Sequence, residues 1–334
     1  MPVLSVQTPR AQVSLRSERL VVLQPEGQSA ENSKSEVPLD ELERAVFAQD
    51  VQVSTSALCE LLKRNIPVTF TSWNGRLLGS FEPPTPPRGA LRILQYQLVC
   101  NPAAALAVAM KLIHSKIANG RRLLQRVDAN HQRLQPGALD ILERCERDAL
   151  RAADLPTLRG FEGAAAAAFF EAWSKFLPAE FPFGQRSTRP PRNPVNACLS
   201  YLSAIVYAEL LTACSIKGLD PSLGCLHQSE DGRWSLPLDL MEPFRPAIIE
   251  ALTLRLFSHR ILQQRHFESR DGGVWLNLEG RRTLIQHYEQ RVQREFLSEH
   301  AGCRTTMRQQ LQNAALNFKL SFPGFQNYAP FRLN

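Results

Sequence analysis

The sequence predicts an α+β protein: a small β-sandwich-like N-terminal domain over residues 1–82, a proline-rich connection over 83–89, and a larger all-α domain over 90–334. Three observations carry this. Up to about residue 80 the apolar residues fall in short runs with period-2 spacing, the signature of half-buried strands. Four prolines then crowd into Pro83–Pro87, which neither a central strand nor a helix tolerates. From Leu91 onward the apolar spacing is helical.

Taken in order, Val13 and Leu15, then Leu20 and Val22, make two short strands, with Ala45–Phe47 and Val51–Val53 as further candidates. Ser54-Thr-Ser-Ala opens a helix to about Arg64, with Ser54 or Thr55 as N-cap. Pro67–Phe70 returns to strand, Asn74-Gly75 signals a type I′ hairpin turn, and Leu77–Phe81 is the returning strand. The Glu82–Arg88 segment reads as a stiff linker and the domain boundary. Helices follow over Leu91–Val99, Ala103–Arg126, Leu134–Leu150, Gly160–Leu177, Asn196–Ala213, Arg245–Arg265, Leu284–Phe296 and Thr305–Leu316. Apart from the first residues and Glu26–Ser35, nothing reads as disordered, and there is no internal repeat.

The 334 residues leave room for two domains and a large core, and 44% hydrophobic with 21% charged residues is the composition of an ordinary folded protein. The net charge of +7 is unevenly placed: residues 1–86 hold 8 basic and 10 acidic side chains, so the remainder carries +9, mostly as arginine. Arginine's planar fork suits phosphate, and a polyanion partner for the C-terminal part is one reading; a merely basic surface is the other. Seven scattered cysteines without C-x-x-C spacing argue against a zinc ribbon and fit reduced thiols. No secretory signal pattern opens the chain and no apolar run approaches the ~20 residues of a membrane span, so a cytoplasmic location without membrane contact is expected.

Four segments hold chemistry. Glu162 lies between Gly160 and Gly163 at the start of the expected alanine-rich helix, where a carboxylate either caps the helix or meets a closely approaching phosphate or metal. His227 ends the turn-rich Leu219–Leu226 stretch, as a surface hydrogen-bonding group or a neutral imidazole ligand. Asp239 and Glu242 share a helical face among Leu236, Leu238, Leu240, Met241 and Phe244. Two carboxylates there repel, and a divalent cation removes that penalty. Arg186, Arg189 and Arg192 sit within seven positions of a proline-extended segment that suits a row of phosphate contacts, or is a solvated basic loop. Asn196 is a candidate cap for the next helix, and Lys111, Lys116, Arg121, Arg122 and Arg126 read as a solvated helical face.

In order, Gly160-Phe-Glu-Gly163, Arg186–Ala197, Gly218–His227 and Leu238–Pro246 closely resemble the CRISPR-associated endonuclease that integrates new spacers, the first family of CRISPR-associated adaptation proteins. Pro38–Arg44, Val51–Thr55, Ile66–Phe70, Leu91–Gln95 and Tyr328–Phe331 extend the resemblance over nearly the whole chain. It implies an enzyme with Glu162, His227 and Asp239 as catalytic ligands of Mg2+ or Mn2+, and Glu242 beside them as a ligand or as a supporting or DNA-facing group. It implies a homodimer paired largely through the N-terminal domain, and a small ferredoxin-like dimer, the second adaptation protein, as partner. The substrates would be prespacer DNA and the CRISPR repeat, joined when a 3′-hydroxyl attacks a phosphodiester. Arg186, Arg189 and Arg192 are the expected DNA contacts. The alternatives are a standalone structure-selective DNase with the same site and a non-catalytic DNA-binding scaffold.

Overall fold

The structure is a computed structural model describing residues 3–25, 34–83, 88–129, 132–135, 137–299, 302–322, 324 and 327–334. The chain divides into two compact units, Met1–Thr85 and Pro86–Asn334. Most of the proline cluster and of the Glu26–Ser35 stretch lies outside the described residues.

In the first unit, β1 (Val3–Val6), β5 (Arg44–Ala48) and β7 (Val68–Thr71) run parallel, and β8 (Leu77–Phe81) closes that sheet antiparallel. A second sheet runs β4 (Lys34–Pro38), β3 (Arg19–Leu23), β2 (Gln12–Arg16), β6 (Gln52–Val53). Alternate residues such as Val13, Leu20, Val22, Ala45, Phe47 and Val68 make one core with Leu61 of α1 (Thr55–Lys63). The Ser54 side chain caps α1, accepting from Ala57 N at 3.3 Å. The β7–β8 turn departs from type I′. Ser72 O accepts from Gly75 N at 3.0 Å, and of the loop residues Gly75 takes positive φ (82°) while Asn74 does not. This is a three-residue loop with the glycine left-handed at its end, consistent with the register shift beside Thr71.

The second unit holds α2 (Gly89–Val99), α3 (Pro102–Asp128), α4 (Ala138–Ala149), α5 (Leu155–Ser174), α6 (Pro194–Lys217) and α7 (Ser235–Met241). A π-helical turn over Arg245–Glu250 runs into α8 (Ala251–Ser258), followed by α9 (Leu278–Gln293) and α10 (Met307–Leu320). Two two-stranded hairpins, β9–β10 (Phe267–Arg270, Gly273–Leu276) and β11–β12 (Glu295–Ser298, Cys303–Thr306), interrupt what the sequence predicts as all helix. The expected Arg245–Arg265 helix ends at Ser258, where Arg260 turns to φ 54°.

Capping sets the helices that matter. Asn101, Asp154 and Asn193 accept from the backbone N–H three residues on, and each is followed within two residues by proline. Thus α5 starts at Leu155, not Gly160, and Asn193 rather than Asn196 caps α6. The α6 helix is long and apolar enough to span a membrane by length and composition, against the sequence expectation, but 72% of its apolar window is buried inside the protein. A single core of α3, α5, α6 and α8 side chains, including Trp173 and Phe257, joined by Phe244 from just past the end of α7, holds the unit together. Behind the α7 segment, Asn119 of α3 donates to Pro243 O at 2.8 Å, and Phe331 stacks on Phe244 with centroids 4.7 Å apart.

Candidate catalytic pocket

Moving the start of α5 to Leu155 removes the capping explanation for Glu162. It sits two turns inside the helix, beyond the reach of the N-terminal dipole. Its carboxylate instead meets Lys116 of α3, with Nζ 2.5 Å from Oε1. The same ammonium lies 2.6 Å from Glu242 Oε2, just past the end of α7, and Arg245 Nε donates to Glu242 Oε1 at 2.8 Å. Two carboxylates and two cations thus alternate along one wall.

Electrostatics decide the ionisation. Burial alone would raise the Glu242 carboxyl, but Arg245 and Lys116 outweigh it and hold the group at about 2. Burial pulls the Lys116 ammonium down, yet Glu242 and Glu162 leave it raised. Eight residues past Glu242, Glu250 lies too deep for the nearby cations to rescue, and burial pushes it up to about 7. Glu242 is 2% exposed, so its charge persists only through these partners.

Lys116, Glu162, Glu242 and Arg245 line a cavity of about 320 Å3. Ala165, Ala166, Phe169 and Phe170 of α5 form its apolar side, and Arg186 and Thr188 come from the loop before α6. Arg186 is not a free phosphate contact. It donates to Ser187 O at 2.7 Å, Asn196 Oδ1 at 2.9 Å and Ser200 Oγ at 3.1 Å, and burial, with Arg245 nearby, lowers it to about 10. It braces the basic loop, leaving Arg189 and Arg192 exposed.

Asp239 and His227 form a second, adjoining group. The carboxylate is 1% exposed and accepts four N–H donors: Cys225 N at 2.6 Å, Leu226 N and His227 N at 2.9 Å, and His227 Nδ1 at 2.7 Å. Gly224 permits this nest, because a Cβ there would meet His227 O at 2.6 Å. Donation from Nδ1 fixes the imidazole tautomer and leaves Nε2 as the ring's lone-pair nitrogen. Arg159, one turn before Glu162, donates to Leu226 O at 3.1 Å and ties α5 to this loop.

The four acidic and imidazole residues are therefore brought together in pairs, Glu162 with Glu242 through Lys116 and Asp239 with His227. Among the described residues no three acidic, histidine or cysteine side chains gather into a metal-holding cluster. Even so, the donor set fits a hard divalent cation. A cation already sits between Glu162 and Glu242, and Glu242 Oε2 is buried with an ion-pair contact but no hydrogen bond. The sequence reading misses the role of Lys116, although a signal exists: it lies amid the buried residues Leu112, Ile113, Asn119 and Gly120 on one face of α3, where a merely solvated lysine does not belong.

Comparison with known proteins adds the following. The model of the family CRISPR associated protein Cas1 matches residues 4–290. A CRISPR-associated exonuclease Cas4/endonuclease Cas1 fusion of Rhodospirillum rubrum is 37% identical over 313 residues, covering 92% of this chain and 53% of the fusion. The chain therefore spans about half the length of that curated relative. CRISPR-associated endonuclease Cas1 1 of Thermus thermophilus is 34% identical over 327 residues, covering 97% of this chain and 96% of the relative. Among solved structures, a casposase bound to integration product superposes with a TM-score of 0.83 at 20% identity, covering 100% of this chain and 96% of that one. A chain of a Cas6-RT-Cas1–Cas2 complex superposes at 0.80 with 22% identity, covering 100% of this chain and 36% of that one. At these identities the structural matches establish the fold.

Proposed function

Because the chain belongs to the CRISPR-associated Cas1 family, we propose that it is a divalent-metal-dependent DNA endonuclease and integrase. It inserts short DNA segments as new spacers into a CRISPR array by transesterification at phosphodiesters. The observation that carries this reading is the Glu162–Lys116–Glu242–Arg245 charge chain in the wall of a cavity. A scaffold whose acids merely cap helices has no use for a carboxylate two turns inside α5 and another 2% exposed.

We assign Glu162, Glu242 and the Nε2 of His227 as the metal-holding groups. The sequence expectation placed Asp239 in the ligand set and left Glu242 in doubt. Geometry argues for exchanging them, since the Asp239 oxygens are committed to four N–H donors while Glu242 already faces a cation beside Glu162. Asp239 then holds the His227 tautomer and shapes the Cys225–His227 backbone. The chemistry a bound Mg2+ or Mn2+ would supply is activation of the attacking 3′-hydroxyl and neutralisation of charge at phosphorus. Released from the carboxylates, Lys116 is positioned to meet a phosphate oxygen. Arg189 and Arg192, exposed on the braced loop, take the DNA backbone, with Arg186 organising them.

The partners that follow are DNA, a second copy of the chain paired through the N-terminal unit, and Cas2, with which a solved Cas1 relative is assembled. Action on chromosomal DNA places the protein in the cytoplasm. The test is incubation with a short 3′-hydroxyl duplex and a repeat-bearing plasmid in Mn2+. Covalent joining by the unaltered protein, abolished in Glu162→Gln and Glu242→Gln with DNA binding retained, is expected. Joining at the unaltered rate by either variant overturns the site. Cleavage without joining returns the standalone-nuclease reading.

A further inference from the structure

A second cavity, about 570 Å3, opens where α8, α9 and the C-terminal end of α3 meet, and it shares no residue with the Glu162 pocket. Arg126 comes from α3, Arg255 from α8, and His287, Arg291 and Arg294 from α9. None of the described residues lining it is acidic. Arg291 spends one nitrogen on Ala247 O at 2.5 Å, while its Nε is buried with no hydrogen-bond partner. Arg126 donates to Asn334 O at 2.8 Å. Arg255 and Arg294 are exposed and have no carboxylate partner among the described residues.

Four guanidinium groups around one cavity repel one another. Burial, and then Arg255, Arg294 and Arg126, push the Arg291 guanidinium down to about 10; burial and Arg255 lower the His287 imidazole. Three other buried or half-buried arginines each face a carboxylate: Arg245 faces Glu242, Arg308 faces Glu289 and Arg121 faces Glu146. An unneutralised cluster fits a site whose counter-charge arrives with a ligand. Guanidinium forks match phosphate oxygens two at a time. The cavity is many times larger than one phosphate, and Phe296 and Leu297 (63% exposed) give it an apolar lip. That combination suits consecutive phosphates carried on sugars and bases.

We propose that this arginine-lined cavity is a second anion-binding site, separate from the metal pocket, that takes the phosphate groups of a DNA strand. It anchors the strand away from the reacting phosphodiester, so it adds to affinity and placement rather than to chemistry.

The test is fluorescence anisotropy of a labelled oligonucleotide duplex over a salt series, in EDTA so that no metal contributes. The Arg255→Gln/Arg294→Gln double variant is compared with the unaltered protein and with Arg255→Lys/Arg294→Lys. Loss of two phosphate contacts should weaken binding roughly tenfold or more and make the plot of log affinity against log salt shallower by about 1–2, while the lysine pair keeps the slope. A parallel melt with pyrophosphate separates the sources of phosphate. If pyrophosphate stabilises the unaltered protein but not the glutamine variant, and DNA affinity is unchanged, the site stands but serves free phosphate compounds. Relieving like-charge repulsion should leave the ligand-free melting temperature unchanged or raised. A lowered melting temperature with an unchanged salt slope, or unchanged affinity and slope with no pyrophosphate effect, overturns the site.

Discussion

Replacing Lys116 with methionine removes the ammonium between Glu162 and Glu242 while keeping most of the side-chain volume. Both carboxylate oxygens lie within 2.6 Å of that Nζ, so they are no more than about 5 Å apart; at an effective dielectric of ~20 their repulsion is about 3 kcal/mol. Arg245 still faces Glu242 at 2.8 Å, and the Glu162 side chain is 23% exposed, so part of that repulsion is relieved. The net destabilisation expected for the metal-free protein is about 2 kcal/mol, below the ~3–5 kcal/mol typical of a fully buried broken pair. At roughly 2–4 °C per kcal/mol, the melting temperature should fall by about 4–8 °C. The assay is a melt in EDTA and again in millimolar Mn2+. Because a divalent cation replaces the missing charge, Mn2+ should recover most of the loss, and stabilise the variant more than it stabilises the unaltered protein. An equal fall with and without Mn2+, or no fall in EDTA, would refute the reasoning that Lys116 occupies the place of a cation.

Two further outcomes follow. Gly224→Ala places a methyl group 2.6 Å from His227 O, 2.8 Å from Ser235 Cβ and 3.0 Å from Asp239 Oδ2; it should cost about 1–3 kcal/mol, read as a lowered denaturation midpoint. Glu250 has a folded pKa near 7 against an ordinary 4.5, so the folded state keeps a proton that the unfolded chain gives up between those values. Its contribution is complete below about pH 4.5, declines as pH rises to 7 and is flat above. Glu250→Gln should therefore gain on the order of 3 kcal/mol relative to the parent between pH 4.5 and 8, measured by urea unfolding in EDTA. A constant difference between the two proteins across that range would show that Glu250 is not protonated by burial.

What could be read in advance depended on whether the signal was local. The alternation at Val13–Val22 and the helical spacing after Leu91 are local, and β2, β3 and the long helices lie where those patterns fall. The strand β4, Lys-Ser-Glu-Val-Pro, is largely exposed and has no apolar alternation to betray it, and the Phe267–Arg270 strand is equally polar. The start of α5 is legible in principle: Asp154 with Pro156 is a complete cap signal, and it frees Glu162 from the capping explanation. The site is different in kind. Glu162, His227, Asp239 and Glu242 could be named one by one, but the Lys116 bridge joins residues 46 and 126 positions apart, which no local pattern encodes. Nor could spacing tell which of Asp239 and Glu242 faces the backbone nest and which faces the cation.

The most direct measurement of the central claim uses the attacking hydroxyl itself. A prespacer duplex ending in 3′-hydroxyl and its 3′-deoxy counterpart are each incubated with the protein, Mn2+ and a repeat-bearing plasmid, and the products are resolved on a denaturing gel. The account predicts a covalent duplex–plasmid product with the hydroxyl substrate, none with the 3′-deoxy substrate, and none with Glu162→Gln on either. Plasmid cleavage that is indifferent to the 3′ end, with no joined product, would contradict it.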